Sequence, residues 1–313
     1  MLKNCVLFTL SANQELGKKV AAALGMELSP VSVKRFPSGE IIAESIETVR
    51  GKNVYIIQST CPPVNENLME LLIFVDSLKR SSAAEINVII PYFGYARQDR
   101  KAKPRQPISA RLVADLLKVS GVTRVVTVDL HAPQIQGFFS CLVDELATAP
   151  LYVATFLQDS HFNTKDLVTV SPDHGGVTRA RKIADGLNTP LAIIDKRRNS
   201  RLEPEVMNII GSVEGKDCLI VDDMIDTAGS ACAAADALIN AGAKSVKIIA
   251  THAVLSDPAF ERLSKSKFNQ IIVSDSIPLP ERFKELNCKV ISLAPMLAAS
   301  NAGSDKTACV AII

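Results

Sequence analysis

No charge of one sign dominates this 313-residue sequence: 35 Lys and Arg stand against 33 Asp and Glu, a formal net charge of +2. Without a global field to recruit nucleic acid or an anionic membrane, any anion site has to be assembled locally. The seven cysteines, Cys5, Cys61, Cys141, Cys218, Cys232, Cys288 and Cys309, form no CxxC pair and follow no signal peptide. A disulfide framework is thereby excluded in favour of reduced thiols packed as small hydrophobes. No uncharged apolar run reaches the roughly 18 residues a membrane helix needs; LLIFVDSL is broken by charge. The expectation is a cytoplasmic protein that engages neither nucleic acid nor membrane. The sequence also lacks GxGxxG and GxxxxGK[ST], which removes a dinucleotide-binding dehydrogenase and a Walker-type NTPase from consideration.

What is present is a large apolar fraction, 47%, in a chain long enough for about two domains. Short Val/Ile-rich runs recur: NVYIIQ, INVIIPY, RVVTVDL, LVTVSPD, LAIID, DCLIVDD, SVKIIATH and QIIVSD. Unbroken apolar runs of this length suit strands buried on both faces of a parallel sheet. Between them, NENLMELLIFVDSLKRSSA and ISARLVADLLKVSG carry apolar residues at helical spacing and end in Gly or small polar residues. Alternating strand and helix makes the class α/β, with doubly wound, mainly parallel sheets.

The chain also repeats itself. Shifted by 121 residues, ISARLVADLLKVSGVTRVVTVDLHA falls on GSACAAADALINAGAKSVKIIATHA, so that Ser109 meets Ser230, Asp115 meets Asp236, Gly121 meets Gly242 and His131 meets His252. Both copies read as helix, glycine turn, buried strand and histidine, and the offset is close to the length of one α/β domain. Two similar domains are expected, residues 1–148 and 149–313, with the boundary at LATAPLYVA and the last ~20 residues packing back on the first.

The sharpest local signal is CLIVDDMIDTAGS, residues 218–230. An apolar strand ends in Asp222 and Asp223, and the loop Met224–Ser230 opens a helix. Unpaired N–H groups and the positive end of a helix dipole suit a phosphate there, with Thr227 and Ser230 adding hydroxyls. Two carboxylates would repel a bare phosphate. They make sense beside a sugar phosphate, accepting hydrogen bonds from ring hydroxyls while the loop of Asp226, Thr227, Ala228, Gly229 and Ser230 holds the phosphate. An N-cap role explains Asp226 or Thr227 alone, but not two acids at a strand end.

VDDMIDTAGS resembles the phosphoribosyl-diphosphate loop of the type I phosphoribosyltransferase fold. With RFPSGE (35–40), GYARQDRK (94–101), TVDLHAPQIQGFF (127–139), SPDHGG (171–176) and DKRR (195–198), the chain resembles ribose-phosphate pyrophosphokinases. The resemblance implies transfer of the β,γ-diphosphate of ATP to the 1-hydroxyl of ribose 5-phosphate, with Mg2+ as cofactor and a homo-oligomer, by resemblance a hexamer. Arg97 and Gln98 would contact ATP, the guanidinium gripping phosphate oxygens in bidentate fashion. Nearby Lys101, Lys103 and Arg105 read equally well as a solvated basic loop. The resemblance assigns His131 to a Mg2+ site near the ATP phosphates and Asp173 to a second beside the incoming diphosphate, and of the two Asp173 is the better direct ligand, leaving His131 to polarise phosphate or orient metal-bound water.

Composition alone would make DKRRNSRLEPE an exposed charged loop. The resemblance makes it the catalytic loop, with Lys196 and Arg198 neutralising the transferred diphosphate and Arg197 and Arg201 as possible helpers. RFPSGE resembles a hairpin that reaches the adenine of a neighbouring subunit's ATP, implying ATP-binding roles for Phe36, Ser38, Gly39 and Glu40. Three departures stand out: Ser38 in place of an acidic or amide residue, which bears on adenine selectivity; His174 in place of a small one, which bears on the diphosphate pocket; and a C-terminus, APMLAASNAGSDKTACVAII, without the family's longer terminal helix, which implies an altered response to phosphate and ADP. The competing readings are a base phosphoribosyltransferase, for which the duplication is superfluous, and a non-catalytic regulatory subunit, from which Lys196 and Arg198 would be absent.

Overall fold

The computed structural model describes residues 4–197 and 206–299. The chain falls into two compact units, the first formed by Met1–Leu146, Ser276–Pro278 and Ser292–Ile313, the second by Ala147–Asp275 and Leu279–Ile291.

The first unit begins with β1 (Cys5–Thr9) and α1 (Gln14–Leu24), then a hairpin of β2 (Val31–Arg35) and β3 (Ile41–Ser45). It continues through β4 (Asn53–Ile57), α2 (Val64–Arg80), β5 (Glu85–Ile90), α3 (Ser109–Ser120), β6 (Arg124–Val128) and β7 (Leu142–Leu146). Its sheet is parallel throughout, in the order β1-β4-β5-β6-β7. Successive residues of a strand point to opposite faces, and here both faces are buried, Val54 and Ile56 on one, Tyr55 and Ile57 on the other. On one face α2 presents Leu68, Leu71, Phe74, Val75 and Leu78, the i, i+3, i+4, i+7 stripe of an amphipathic helix, and packs with α3 over Phe8, Ile56, Val88 and Val125. Phe8 and Phe74 meet edge to face with ring centroids 5.1 Å apart, and each fully buried side chain of this size contributes about 1.5–3 kcal/mol. Helix α1 stands outside that cluster. Gly17 allows it close approach to β1, since a Cβ there would lie 2.4 Å from Thr9 Oγ1. The strand order simply follows the chain in this unit, and the double winding is seen in the placement of helices on both faces.

The second unit comprises α4 (Ala149–Gln158), β8 (Leu167–Ser171), α5 (Val177–Leu187), β9 (Leu191–Arg197), β10 (Val206–Ile210) and β11 (Asp217–Ile225). It continues through α6 (Gly229–Asn240), β12 (Ser245–Ala253), α7 (Ala259–Ser264), β13 (Gln270–Ser274) and β14 (Cys288–Ile291). The order is β10-β9-β8-β11-β12-β13-β14, with β10 antiparallel on β9 and all other pairs parallel. From β8 the chain runs outward to β9 and β10, then returns to the other side of β8 as β11. The direction of winding therefore reverses between β8 and β11, the kind of point at which open α/β sheets bind ligands beyond the strands' carboxyl ends. Helix α8 (Ala294–Ala298) returns to the first unit and packs against α1; the segment 300–313 that sets the C-terminus apart lies outside the described residues.

All eight Val/Ile-rich runs form strands, and the repeated segments form α3 with β6 and α6 with β12. The repeat fails at its histidines. His252 is buried inside β12, at 2% exposure, because that strand runs on to Ala253. His131 stands exposed beyond the end of β6. The acidic pair is also not at a strand end: β11 continues to Ile225, where Met224 and Ile225 still pair with His252 and Ala253 of the equally long β12. Only residues 226–228 form the loop, and Ser230 already belongs to α6.

Candidate active site

Asp173 and the 222–230 segment flank the reversal in the second unit, one following β8 and the other on β11 and beyond. Asp173 is exposed; its Oδ1 accepts the Gly176 N–H at 2.9 Å, and Ser171 Oγ donates to its backbone carbonyl at 2.7 Å. The turn is thus held from within, while Asp173 Oδ2 makes no hydrogen bond among the described residues.

Across the reversal, Asp223 is only 8% exposed in its side chain and its Oδ1 lies 3.5 Å from Arg179 Nη1 on α5. Asp222 retains partial solvent contact, and its Oδ1 accepts the Asp223 N–H at 2.8 Å. Desolvation and the adjoining Asp223 carboxylate push the Asp222 carboxyl up to about 8, so at neutral pH it holds a proton. A protonated acid beside a second carboxyl offers both a donor and acceptors to a diol.

The loop beyond lets Ala228 adopt a left-handed conformation, φ 59°, and Ala228 is the N-cap of α6, with no side-chain capping bond. Neither Asp226 nor Thr227 caps the helix, which removes the bland explanation for those residues. The first N–H groups of α6 lack a side-chain cap, as an anion-binding helix start requires. The loop is braced from α7: Arg262 Nη1 donates to the Thr227 carbonyl at 2.9 Å.

In the first unit, Arg97 and Gln98 occupy the loop after β5 and His131 the loop after the neighbouring β6. Gln134 Nε2 donates to Asp99 Oδ2 at 2.7 Å and ties these loops together. Gln98 Oε1 accepts from Ser109 Oγ at 2.5 Å at the start of α3. Gly94 has to be glycine, since a Cβ would sit 2.5 Å from the Thr60 carbonyl oxygen. Phe36 projects from the β2–β3 hairpin tip at 52% exposure, and Ser38 Oγ donates to Glu40 Oε2 at 2.6 Å. Gly39 takes φ 91° there, a conformation that favours glycine.

Lys196 lies on β9, its backbone paired with Met207, while Arg198 and Arg201 lie outside the described residues. Arg179 and Arg262 went unnoticed in the sequence; each reaches its partner from a separate element, so only SPDHGGVTR, which opens α5 just after the Asp173 turn, carried a hint of the first.

Residues 5–121 match the family model described as the N-terminal domain of ribose phosphate pyrophosphokinase, and residues 143–281 match the phosphoribosyl transferase domain. The chain belongs to the ribose-phosphate pyrophosphokinase family. A ribose-phosphate pyrophosphokinase of Fusobacterium nucleatum is 54% identical over 295 residues, 94% of this chain and 93% of that protein. That of Bacillus subtilis is 53% identical over 296 residues, 95% of this chain and 92% of its own. Among solved structures, phosphoribosylpyrophosphate synthetase from Mycobacterium smegmatis superposes with a TM-score of 0.88 at 44% identity, covering 94% of this chain and 96% of that one. Both matches lie in this one chain, and these curated relatives over nearly its full length are named ribose-phosphate pyrophosphokinases, which sets the chain apart from a base phosphoribosyltransferase. Among the described residues no helix is long and apolar enough to cross a membrane.

Proposed function

We propose a division of labour for the family reaction, in which the β,γ-diphosphate of ATP passes to the 1-hydroxyl of ribose 5-phosphate and AMP leaves. The second unit holds the sugar phosphate: the 226–230 segment takes the 5-phosphate, and Asp222 and Asp223 take the ring hydroxyls. The observation that carries this reading is the conjunction, at the winding reversal, of a helix start without a side-chain cap and a carboxyl pair on the strand that leads into it. The first unit takes ATP, with Arg97 and Gln98 on the phosphates and the hairpin residues Phe36, Ser38, Gly39 and Glu40 on the adenosine of a neighbouring subunit's ATP in a homo-oligomer, a hexamer by family likeness.

Lys196 and Arg198 neutralise charge on the diphosphate as it moves, which is where phosphoryl-type transfer needs the protein most. Two Mg2+ positions are implied: His131 would serve one near the ATP phosphates, and Asp173 would hold the other beside the diphosphate. The fit rests on Asp173 Oδ2, an exposed carboxylate oxygen with no hydrogen bond among the described residues, and on Mg2+ needing only one or two protein carboxylates beside phosphate and water. Among the described residues no group of three or more His, Cys, Asp or Glu could hold a metal ion. When bound, Mg2+ supplies charge neutralisation at the phosphates. The enzyme works in the cytoplasm.

The test is phosphorus NMR of ATP, Mg2+ and ribose 5-phosphate with the native chain and with Lys196→Ala. AMP and a ribosyl diphosphate forming together, and almost vanishing in the variant, support the reading. A folded native chain that makes neither would instead point to a regulatory subunit.

A further inference from the structure

Arg262 belongs to no motif, yet its guanidinium lies against the three-residue loop that precedes α6. Its Nη1 donates to the Thr227 carbonyl at 2.9 Å and lies 3.0 Å from where a Gly229 Cβ would stand. The first contact turns the Thr227 carbonyl toward α7, and the peptides that follow, through left-handed Ala228, enter α6 with their N–H groups uncapped by any side chain. A carbonyl rotated toward the helix start would place a negative dipole where a phosphate has to sit.

The helix that carries Arg262 is itself held in place. Asp257, next to the start of α7, receives Arg282 Nη2 at 2.8 Å. The Arg282 guanidinium in turn stacks over Phe260 and Phe283, at 5.6 and 5.4 Å from the ring centroids. Phe260 and Phe283 meet edge to face at 5.4 Å, and Phe283 is 1% exposed, so the brace is rooted in the core of the second unit.

We propose that Arg262 is the positioning residue of the phosphate loop, setting the affinity for the phosphate end of the sugar substrate without taking part in diphosphate transfer. The inference rests on the assignment of that loop to ribose 5-phosphate. A positioning role at one end of one substrate is expected to change the KM for that substrate and little else.

The experiment compares Arg262→Ala and Arg262→Lys with the native chain in steady-state turnover and in calorimetric titration with ribose 5-phosphate alone. For Arg262→Ala the KM and Kd for ribose 5-phosphate should rise about tenfold, the effect of losing one charge-assisted hydrogen bond of ~1.4 kcal/mol, while kcat and the KM for ATP stay within twofold. Arg262→Lys, which keeps a cationic donor, should recover most of the loss. An unchanged sugar-phosphate Kd overturns the proposal, as does a fall in kcat and in ATP affinity as large as that in sugar-phosphate affinity, which would mark general damage to the unit. A native chain that binds ribose 5-phosphate in an Arg262-dependent way but produces no AMP would sink the functional reading and support this one.

Discussion

Replacing Asp222 by Asn should make the protein more stable at neutral pH while weakening its hold on ribose 5-phosphate. The carboxyl is raised from 3.8 to about 8, first by desolvation and second by Asp223. For an acid whose folded pKa lies above its unfolded one, the sign runs against stability as pH rises: below about pH 4 both states hold the proton, and between there and about pH 8 the unfolded chain ionises while the folded one resists. About four pKa units at ~1.4 kcal/mol each set a ceiling near 6 kcal/mol. Partial solvent contact at Asp222 reduces this to roughly 2–3 kcal/mol. Asn retains the oxygen that accepts the Asp223 N–H, so no backbone donor is orphaned by the change. Urea unfolding of both proteins, free of Mg2+ and substrates, should show a gain for Asp222→Asn that is near zero at pH 4, grows towards pH 8 and levels off above it. A gain of equal size at pH 4 and pH 8 would refute the reasoning, and so would a variant less stable than the parent at pH 8. Calorimetry on the same variant should find ribose 5-phosphate bound about tenfold more weakly.

Gly94→Ala forces a methyl group to within 2.5 Å of the Thr60 carbonyl, and overpacking of that kind costs about 1–3 kcal/mol; urea unfolding should register it, together with a raised KM for ATP, because Arg97 and Gln98 sit on the displaced loop. An unshifted unfolding midpoint would show that the loop yields freely. His174→Ala removes the 2.9 Å contact between His174 Nε2 and Asp195 Oδ1. Asp195 immediately precedes Lys196 on β9, so kcat should fall by about threefold to tenfold, the range of one hydrogen bond of ~1 kcal/mol, with the KM for ribose 5-phosphate within twofold. A native kcat would show that the histidine does not locate the lysine.

The strands were legible in the sequence because a fully buried parallel sheet demands unbroken Val/Ile runs, and DCLIVDD or SVKIIATH can do little else. The chemistry-bearing loops were legible for a related reason: each follows such a run directly, so Asp173, Arg97 and His131 could be placed at carboxyl ends without knowledge of strand order. The strand end was placed two residues early, at Asp223 in place of Ile225, since the length of β11 is set by its partner β12, and nothing within VDDMID announces how far that neighbour extends. The equivalence of His131 and His252 failed for the same reason. Arg179 and Arg262 were invisible because their partners, Asp223 and Thr227, lie 44 and 35 residues away along the chain, a proximity that only the packing of α5 and α7 creates.

The return of α8 to α1 has a consequence for how the chain is made. The first unit is interrupted: its sheet is complete by Leu146, but one of the helices covering α1 is encoded after Ser292, where Leu293 and Leu297 are fully buried. A ribosome reading from the first residue onward therefore completes the second unit's seven strands before it delivers the last piece of the first. During that interval the face of α1 that α8 will cover stands bare, and a chain halted at residue 146 would carry that apolar face permanently. Such a fragment should be prone to self-association, which makes arrival of the final turn of helix the step that seals the nascent enzyme.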